Sequence, residues 1–442
     1  MKIKTFGDVD QRSLEQLERC MQAGDAEFGV LCADHHPGYS QPIGGGIAYE
    51  GYVSPSGVGY DIGCGNKAAR TELTRADLDA LGGVDKLMGE ITRRISFGMG
   101  VPATEKVDHP VLDQIRNAEF APQRKLAQTA ANQLGTVGSG NHYVNLMEDE
   151  EGKVWVGVHF GSRGFGHKTA SGFLALAQGL DFGARANEGE MDSPPVLFEI
   201  DSELGRSYIA AMQLAGDYAY AGRDAVVDKV LQILGAESTH EVHNHHNFAW
   251  LEEHFGRQYW VIRKGCTPAR PGQEGFVGGS MGDESVILEG VESEDAVDSL
   301  YSTVHGAGRV MSRTQAAGRV RRRKRWACRN RDCTRVFDID GVSSHLGAPK
   351  KGICPDHPEA GVKKVWVEEQ IKPGIVDWPA VQARLREQGI VLVGGGADEA
   401  PEVYKRLPQV LDAHGDSIRV KHRLRPLGVA MAGRDVVDPY KD

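Results

Sequence analysis

The sequence predicts an α+β fold in which mixed sheets are surrounded by helices. Residues 202–235 have the pattern of a long helix, because apolar residues recur every three to four positions. Short segments rich in valine, isoleucine and aromatic residues predict strands; they are KVWVGVHF, RQYWVIRK and ESVILEG. Helices and strands do not alternate in a regular βαβ rhythm, which argues against a doubly wound α/β fold.

Further helices are predicted in the first third of the chain. One covers residues 13–23, with Ser13 as its N-terminal cap. A second covers residues 75–95 and is interrupted at the two adjacent glycines 82 and 83. A third region, residues 111–135, has a helical pattern that Pro122 should break.

Composition restricts the class of protein. The chain has 442 residues, of which 40% are hydrophobic, and a formal net charge of −10. It contains no apolar run long enough for a membrane span, and its N-terminus has no apolar core typical of a secretory signal, so we expect a cytoplasmic protein. Its seven cysteines do not form a disulfide framework, which favours free thiols and metal ligation.

Candidate metal ligands occur in glycine-rich motifs, where the backbone can turn tightly and approach a ligand. Cys64 lies in such a motif, DIGCG, three residues after an aspartate. Carboxylate, thiolate and imidazole together suit Mn, Fe, Co, Ni or Zn. Within HNHH, local sequence does not decide which histidine binds. The candidates are Asp61, Cys64, His142, His159 and one of His243, His245 and His246.

A second set of residues is typical of phosphate recognition. Arginine and lysine side chains and the backbone N–H groups of glycine-rich loops both bind phosphate. The candidates are Arg163, Arg263, Lys264, Ser280 and Ser285. No Walker A motif is present, and no GxGxxG opens a helix after a strand, so P-loop and Rossmann sites are excluded.

The segment STVHGAGRVMSR contains His305 in a glycine turn, followed by Arg309 and Arg313. A histidine beside arginines is a candidate nucleophile toward a phosphate, with which it would form a phosphoramidate. A purely structural histidine at the start of a helix is the alternative.

Residues 318–373 differ from the rest of the chain and predict a small inserted module. The segment starts with the basic run RVRRRKR, residues 319–325, for which we expect RNA backbone contacts; a solvated charged surface is the alternative. Two close ligand pairs follow and predict a zinc-ribbon-like structural Zn²⁺ site. The predicted ligands are Cys328, Cys333, Cys354 and His357, with His345 as a competing ligand and solvated loop cysteines as the alternative.

The order of seven motifs resembles the RtcB family of RNA-splicing ligases. These motifs are DIGCGNKAART, GSGNHYV, HFGSRGFGH, HHNF, RKG, GSMG and HGAGRVMSR. The resemblance covers nearly the whole chain outside the module and the extreme C-terminus. It implies an RtcB-like α+β fold, with a catalytic domain formed by residues 1–317 and 374–442 and interrupted by the module at 318–373.

The resemblance also implies a site that binds two Mn²⁺ ions and GTP. Cys64 would bridge both ions, with Asp61 and His142 at one and His159 and His246 at the other. His305 would be guanylylated. The implied nucleotide contacts are Asn141, Asn145, Asn247, Gly279, Ser280, Met281, Ser285, Gly306, Ala307 and Gly308. The implied phosphate or RNA contacts are Arg163, Arg263, Lys264 and Arg309.

The implied reaction joins an RNA 3′-phosphate or 2′,3′-cyclic phosphate end to a 5′-hydroxyl end, with an archease-type protein as a candidate activator. One alternative is an end-processing enzyme that hydrolyses cyclic phosphates or caps 3′ ends with little joining. Another is an RNA-binding factor that does not use the site, although the complete set of candidate ligands argues against it.

The chain departs from the family pattern at the nucleotide site. Asn145 stands where the pattern has a glutamate, and Met431 and Ala432 stand where it has a lysine. The family pattern also lacks the inserted module. The missing C-terminal lysine predicts slower or less GTP-selective activation, and the change at Asn145 affects a position expected to contact the guanine.

Overall fold

The computed structural model describes residues 1–187, 190–330, 332–333, 336–338, 354 and 356–433, and it confirms the α+β fold class. The helices of these residues are α1 (Gln11–Ala23), α2 (Pro55–Val58), α3 (Arg75–Ala80), α4 (Val84–Arg94), α5 (Val111–Arg116), α6 (Ala121–Arg124), α7 (Ala127–Gln133), α8 (Arg163–Ala177), α9 (Glu203–Leu234), α10 (Glu294–Asp298), α11 (Arg313–Ala317), α12 (Trp378–Glu387) and α13 (Leu407–Asp412).

The strands are β1 (Lys2–Thr5), β2 (Phe28–His36), β3 (Ile43–Tyr49), β4 (Tyr52–Val53), β5 (Gly65–Thr74), β6 (Tyr143–Glu148), β7 (Lys153–Phe160), β8 (Phe198–Glu199), β9 (His240–His245), β10 (Asn247–His254), β11 (Arg257–Lys264), β12 (Cys266–Pro268), β13 (Glu274–Val277), β14 (Ser285–Gly290), β15 (Ser302–Val304), β16 (Gly318–Cys328), β17 (Val336–Asp338), β18 (Val362–Pro373), β19 (Val391–Gly395) and β20 (Ile418–Gly433). The three segments predicted as strands form β7, β11 and β14.

The long predicted helix is α9, and the predicted interruption at the two glycines separates α3 from α4. The predicted cap at Ser13 is wrong. Helix α1 begins at Gln11, and the carboxylate of Asp10 accepts a hydrogen bond from the Ser13 backbone N–H at 2.8 Å. Residues 111–135 form the short helices α5, α6 and α7, and Pro122 lies in the first turn of α6, where a missing N–H costs no helical hydrogen bond.

The larger sheet is nearly closed into a barrel. Its strands run in the order β13-β14-β20-β6-β7-β5-β9, and β19 pairs in parallel with β20. Side-chain amides of β5 and of the end strand β9 bind the backbone of Phe276 on the other end strand, β13. Asn66 donates to the Phe276 carbonyl at 2.8 Å, and the Phe276 N–H donates to Asn244 at 3.2 Å. The amides therefore satisfy backbone groups that would otherwise lack partners at the sheet edges.

A second sheet has the order β1-β2-β3-β11-β10. Helix α9 contributes to the cores of both sheets, with Tyr208 and Met212 buried in the first apolar cluster and Val226 and Val230 in the second. The loops between the sheets bring the ends of β2, β9 and β15 close to the start of β5. This junction contains the candidate site.

Strands β16, β17 and β18 form a separate three-stranded sheet, with β16 at its centre. β16 and β18 pair antiparallel from Gly318 opposite Pro373 to Cys328 opposite Val362. The division of the chain at 318 and 373 stays a prediction, as does the competing ligand His345, which lies outside the described residues. Across the described ranges, we find no helix with the length and apolar character that a membrane span requires.

Candidate functional site

Three of the predicted metal ligands converge at one end of the nearly closed sheet. Cys64 immediately precedes β5, His142 immediately precedes β6, and His159 lies on β7 between these two strands. The Cys64 Sγ is 3.5 Å from His159 Nε2 and 3.7 Å from His142 Nε2. His142 Nε2 is 3.1 Å from a carboxylate oxygen of Asp61. Strand register therefore assembles residues that are distant in sequence.

Neighbouring groups hold these ligands in position. His159 Nδ1 lies 2.7 Å from the side-chain oxygen of Asn66, so its N–H donates there and Nε2 is left facing the thiol. Gly161 passes so close to Asp61 that a Cβ atom on this glycine would lie 2.2 Å from the carboxylate. Only glycine fits at this position without displacing the carboxylate.

The structure distinguishes among the histidines of HNHH. Arg223 donates from Nε to His243 at 2.9 Å, and its Nη2 lies 2.9 Å from His245 Nδ1. His246 instead lines the cavity described below, and its ring centroid is 5.1 Å from that of His159. His246 is therefore the histidine of this cluster that joins the other ligands.

The electrostatics of the cluster suit a cation. Burial raises the pKa of Asp61, but the hydrogen bond with His142 and the nearby charges of His142 and Arg163 together outweigh this and hold the pKa at about 2. Burial lowers the pKa of His159 and of His246, so both imidazoles are neutral. Burial and the charge of Asp61 raise the pKa of the Cys64 thiol, which would lose its proton on binding a metal. His246 Nδ1 is buried and has no hydrogen-bond partner among the described residues. One carboxylate, one thiol and neutral imidazoles together fit a borderline divalent metal.

His305 lies beside this cluster, with its ring centroid 4.8 Å from that of His246. Its Nδ1 is 2.6 Å from a carboxylate oxygen of Asp34, near the end of β2. The same oxygen accepts the backbone N–H groups of His305 and Gly306 at 3.0 and 3.3 Å. Gly308, with φ of +78°, packs directly on the Asp34 backbone. The contact favours a proton on Nδ1 and leaves the Nε2 lone pair available.

A cavity of about 930 Å³ joins the metal cluster to His305. Besides the five predicted metal ligands and His305, it is lined by most of the predicted nucleotide and phosphate contacts. These are Asn141, Asn145, Asn247, Gly279, Ser280, Met281, Gly306, Ala307, Gly308, Lys264 and Arg309.

Three predicted contacts are not among the residues lining this cavity. Arg263 is fully buried, and its guanidinium binds Glu252 at 2.6 Å and Ser302 at 2.8 Å. Arg163 lies behind the metal cluster, 3.4 Å from His142 Nδ1. Ser285 accepts the Gly279 N–H at 3.1 Å and so supports the loop from below. These three side chains therefore contact other parts of the protein around the site rather than the space inside the cavity.

Sequence reasoning missed several residues of the site. Asp34, which contacts His305 from behind the cavity wall, is a buried acid within the otherwise apolar strand segment VLCAD, which was the available signal. Glu399 and Tyr404, in the segment DEAPEVYK, hold the guanidinium of Arg309 from the opposite wall; Glu399 is 3.4 Å and the Tyr404 hydroxyl 3.2 Å away. Lys405 also lines the cavity and donates to the Ala33 carbonyl at 2.8 Å.

The two departures from the family pattern lie side by side. Asn145 on β6 pairs with Val429 on β20, and Tyr143 pairs with Met431, so these four residues share one face of the sheet. All four line the cavity, whereas Ala432 is not among the lining residues. The Asn145 side-chain oxygen and the Tyr143 hydroxyl are buried without hydrogen-bond partners in the described chain. Both are therefore available to a bound ligand.

A second cluster of possible ligands lies in the three-stranded sheet. Its four donor atoms, from Cys328, Cys333, Cys354 and His357, all lie within 4.8 Å of one another. The sulfur atoms of Cys333 and Cys354 are 3.9 Å apart. Tetrahedral zinc with Zn–S bonds of ~2.3 Å has sulfur–sulfur distances of roughly 3.8 Å. The His357 Nδ1 is buried and lacks a partner among the described residues.

The family model and the similar proteins all point to the same family. The family described as tRNA-splicing ligase RtcB matches residues 20–336. The tRNA-splicing ligase RtcB of Archaeoglobus fulgidus is 32% identical over 518 aligned positions, covering 97% of this chain and 95% of the relative. The RNA-splicing ligase RtcB of Escherichia coli K12 is 33% identical over 316 positions, covering 65% and 75% of the two chains. The tRNA-splicing ligase RtcB of Thermococcus kodakarensis is 31% identical over 387 positions, covering 70% and 78%.

Proposed function

Because this chain belongs to the RtcB family of tRNA-splicing ligases, we propose that it is an RNA ligase. It joins RNA 3′-phosphate or 2′,3′-cyclic phosphate ends to 5′-hydroxyl ends. The observation that carries this proposal is the position of His305, which faces the same cavity as the Cys64 cluster and is oriented by Asp34. A nucleophile beside a cation site is the arrangement that phosphoryl and nucleotidyl transfer require.

The chemistry proceeds in three transfers. The Nε2 lone pair of His305 attacks the α-phosphorus of GTP, a phosphoramidate bond forms, and pyrophosphate leaves. An oxygen of the RNA 3′-phosphate then attacks the same phosphorus, which frees His305 and leaves GMP on the RNA end. Finally the 5′-hydroxyl attacks the RNA phosphate, loses its proton and expels GMP. A cyclic phosphate end is first hydrolysed: water attacks the phosphorus, the bond to the 2′-oxygen breaks, and a 3′-phosphate and a 2′-hydroxyl result.

The donor set would suit two Mn²⁺ ions, and Cys64 would be a ligand shared by both. Asp61 and His142 would hold one ion, and His159 and His246 the other. Bound there, the metal supplies positive charge that offsets the triphosphate and the RNA phosphate. The neutral imidazoles and the ionised Asp61 are already in the protonation states that ligation requires, which supports this assignment.

The nucleotide would bind between the glycine turn at 306–308 and the loop at 278–281, both of which line the cavity. Lys264 lies at one wall and Arg309 at another, and both offer N–H donors to phosphate oxygens. Burial lowers the pKa of Lys264 to about 8, so a bound phosphate would favour its charged form.

We further propose that the second cluster, formed by Cys328, Cys333, Cys354 and His357, binds a structural Zn²⁺. The support is a set of three thiols and one imidazole whose donor atoms lie close enough together to bind one tetrahedral ion. The small sheet that holds them has few apolar residues to stabilise it. Zinc content measured on a Cys328→Ser/Cys333→Ser protein tests this. We expect zinc to be lost, whereas Cys20→Ala, which removes a thiol from the main core, should retain it. Undiminished zinc in the double variant would refute the site.

Labelling with radioactive GTP and Mn²⁺ tests the ligase proposal. The wild-type protein should acquire acid-labile, hydroxylamine-sensitive GMP and join RNA ends, and an archease-type protein can be added to accelerate either step. His305→Ala should lose both activities while keeping its metal. His240→Ala, at an exposed position on β9, is the matched control and should behave like wild type. Labelling of the His305 variant would place the nucleophile elsewhere.

The second candidate function is end processing without efficient joining. It is supported by the neutral pair Asn145 and Met431 at positions where the family pattern has charged residues. Product analysis distinguishes the two functions. A processing enzyme would convert 2′,3′-cyclic phosphate ends to 3′-phosphate or capped ends, and no joined RNA would accumulate even at saturating GTP.

A further inference from the structure

The strands β16 and β18, called the arm below, present two exposed or half-exposed tryptophans beside lysines. Lys324 stands directly opposite Trp366, and Trp326 directly opposite Lys364. Because side chains alternate along a strand, these two opposed pairs share one face of the arm. The ammonium of Lys324 lies 5.1 Å from the Trp366 ring centre, and that of Lys364 lies 5.2 Å from the Trp326 ring centre.

The exposure of this face calls for an explanation. Trp366 is 64% exposed, although burying a tryptophan normally stabilises a fold. Neither Lys324 nor Lys364 forms an ion pair with a carboxylate within the described part of the chain. On the opposite face, Glu369 pairs with Arg323 and Arg325. The face that carries the indole rings therefore also carries the positive charges of Lys324 and Lys364.

The base of the arm adjoins the cavity. Strand β16 begins directly after α11, whose residues Arg313 and Gln315 line the cavity. The chain returning from β18 is fastened to the same helix, because the Ile375 N–H donates to the Gln315 carbonyl at 3.0 Å. Eleven residues of β16, at ~3.3 Å each, give the arm a reach of about 35 Å from the rim of the cavity.

We propose that the face formed by Lys324, Trp326, Lys364 and Trp366 is a binding platform for single-stranded RNA. Unpaired bases stack on the two indole rings, and the two ammonium groups bind the adjacent phosphates. Aromatic rings combined with basic side chains are what sequence-tolerant binding of single strands requires. The platform rests on the proposed function, since it holds the RNA whose end enters the cavity. Base-paired RNA fits it poorly, because its bases are already stacked inside the duplex.

Fluorescence anisotropy with a labelled single-stranded RNA tests the platform. The RNA carries hydroxyl groups at both ends, and GTP and Mn²⁺ are omitted, so no ligation can occur. Trp366→Ala should weaken binding by roughly five-fold or more, which corresponds to one stacked base. Trp366→Phe keeps a ring and should retain most of the affinity. The same labelled sequence annealed into a blunt duplex should bind more weakly than the single strand.

The lysines are tested through salt dependence. Lys324→Ala/Lys364→Ala should reduce the slope of log affinity against log salt by about 1.4, because two contacts to single-strand phosphates are removed. Lys106→Ala/Lys125→Ala removes the same charge from exposed positions outside the arm and should leave the slope unchanged. Unchanged zinc content and thermal unfolding would show that the arm variants are folded.

RNA affinity that is unchanged by Trp366→Ala, or a slope unchanged by the lysine pair, would overturn the platform. That outcome is expected if the face instead binds an acidic protein partner. The result is independent of the ligase proposal, since binding is measured without nucleotide. A protein that ligates RNA with no effect of the arm variants refutes the platform alone. One that binds through the arm and never labels with GTP refutes the ligase alone.

Discussion

The substitution Asp34→Asn should slow the guanylylation of His305 without removing metal. Asp34 is fully buried, and one of its oxygens lies 2.6 Å from His305 Nδ1 while accepting two backbone N–H groups. Burial raises its pKa, but the adjacent His305 more than offsets this and lowers the pKa below the ordinary value, so the group is ionised. Asparagine keeps the shape and can still accept the backbone N–H groups, but it loses the charge that stabilises a cationic imidazole.

The expected size of the effect follows from this contact. An interaction between a charged group and a hydrogen-bond donor contributes about 1.5–3 kcal/mol. If the interaction strengthens as His305 acquires positive charge on attacking GTP, its loss slows labelling by roughly 10- to 150-fold. Asp34→Ala would be a poorer test, because it also leaves two buried N–H groups without an acceptor.

The assay is the single-turnover rate of GMP transfer to the protein at saturating GTP, with manganese content measured in parallel. Asp224→Asn is the matched control, since Asp224 also contacts a histidine, His243 at 3.3 Å, away from the cavity. Its labelling rate should equal that of wild type. An Asp34→Asn protein that labels at the wild-type rate would refute the positioning role. Loss of manganese would show that Asp34 acts through the metal site instead.

Three further predictions concern the cavity and its support. Cys64→Ala should lose most bound manganese and all labelling, because it removes the ligand proposed to be shared; elemental analysis after Mn²⁺ loading checks this. Asn145→Glu/Met431→Lys should raise GTP labelling above that of either single variant, as measured by the labelling rate at limiting GTP. Arg263→Met should lower the free energy of unfolding by about 3 kcal/mol and leave salt-dependent RNA binding unchanged, since Glu252 would lose its main partner. Glu252 has a pKa of about 2 against an ordinary 4.5: burial raises the pKa, but the charges of Arg263 and His254 and the hydrogen bonds with them together outweigh burial. Its stabilising effect should therefore be complete above pH 4.5 and decline as the pH falls toward 2 in wild type, and it should be weaker in the variant.

The sequence predicted the fold class and most of the residues that line the cavity. It did not predict which residues support them from behind. Cys64 was recognisable because a thiol between glycines is unusual for a core residue, and His305 because a glycine turn follows it. The positioning role of Asp34 was not recognisable, since it depends on β2 lying beside the turn after β15, a contact between residues 271 positions apart. Position along the chain also does not tell a buried, paired arginine from an available one, as Arg263 illustrates.

The two departures at the nucleotide site are best understood together. Asn145 and Met431 share one face of adjacent strands and both are buried, at 5% and 7% exposure. The family pattern has a glutamate at position 145 and a lysine at 431 or 432, so the same face would carry two opposite charges. Replacing one of them alone would leave a buried charge without a partner, which costs several kcal/mol. Replacing both leaves a neutral site with one amide and a thioether, and the unpartnered Asn145 oxygen remains available to a base. For that reason the double variant should recover charged recognition of the base, whereas each single variant should bind nucleotide worse than the natural protein.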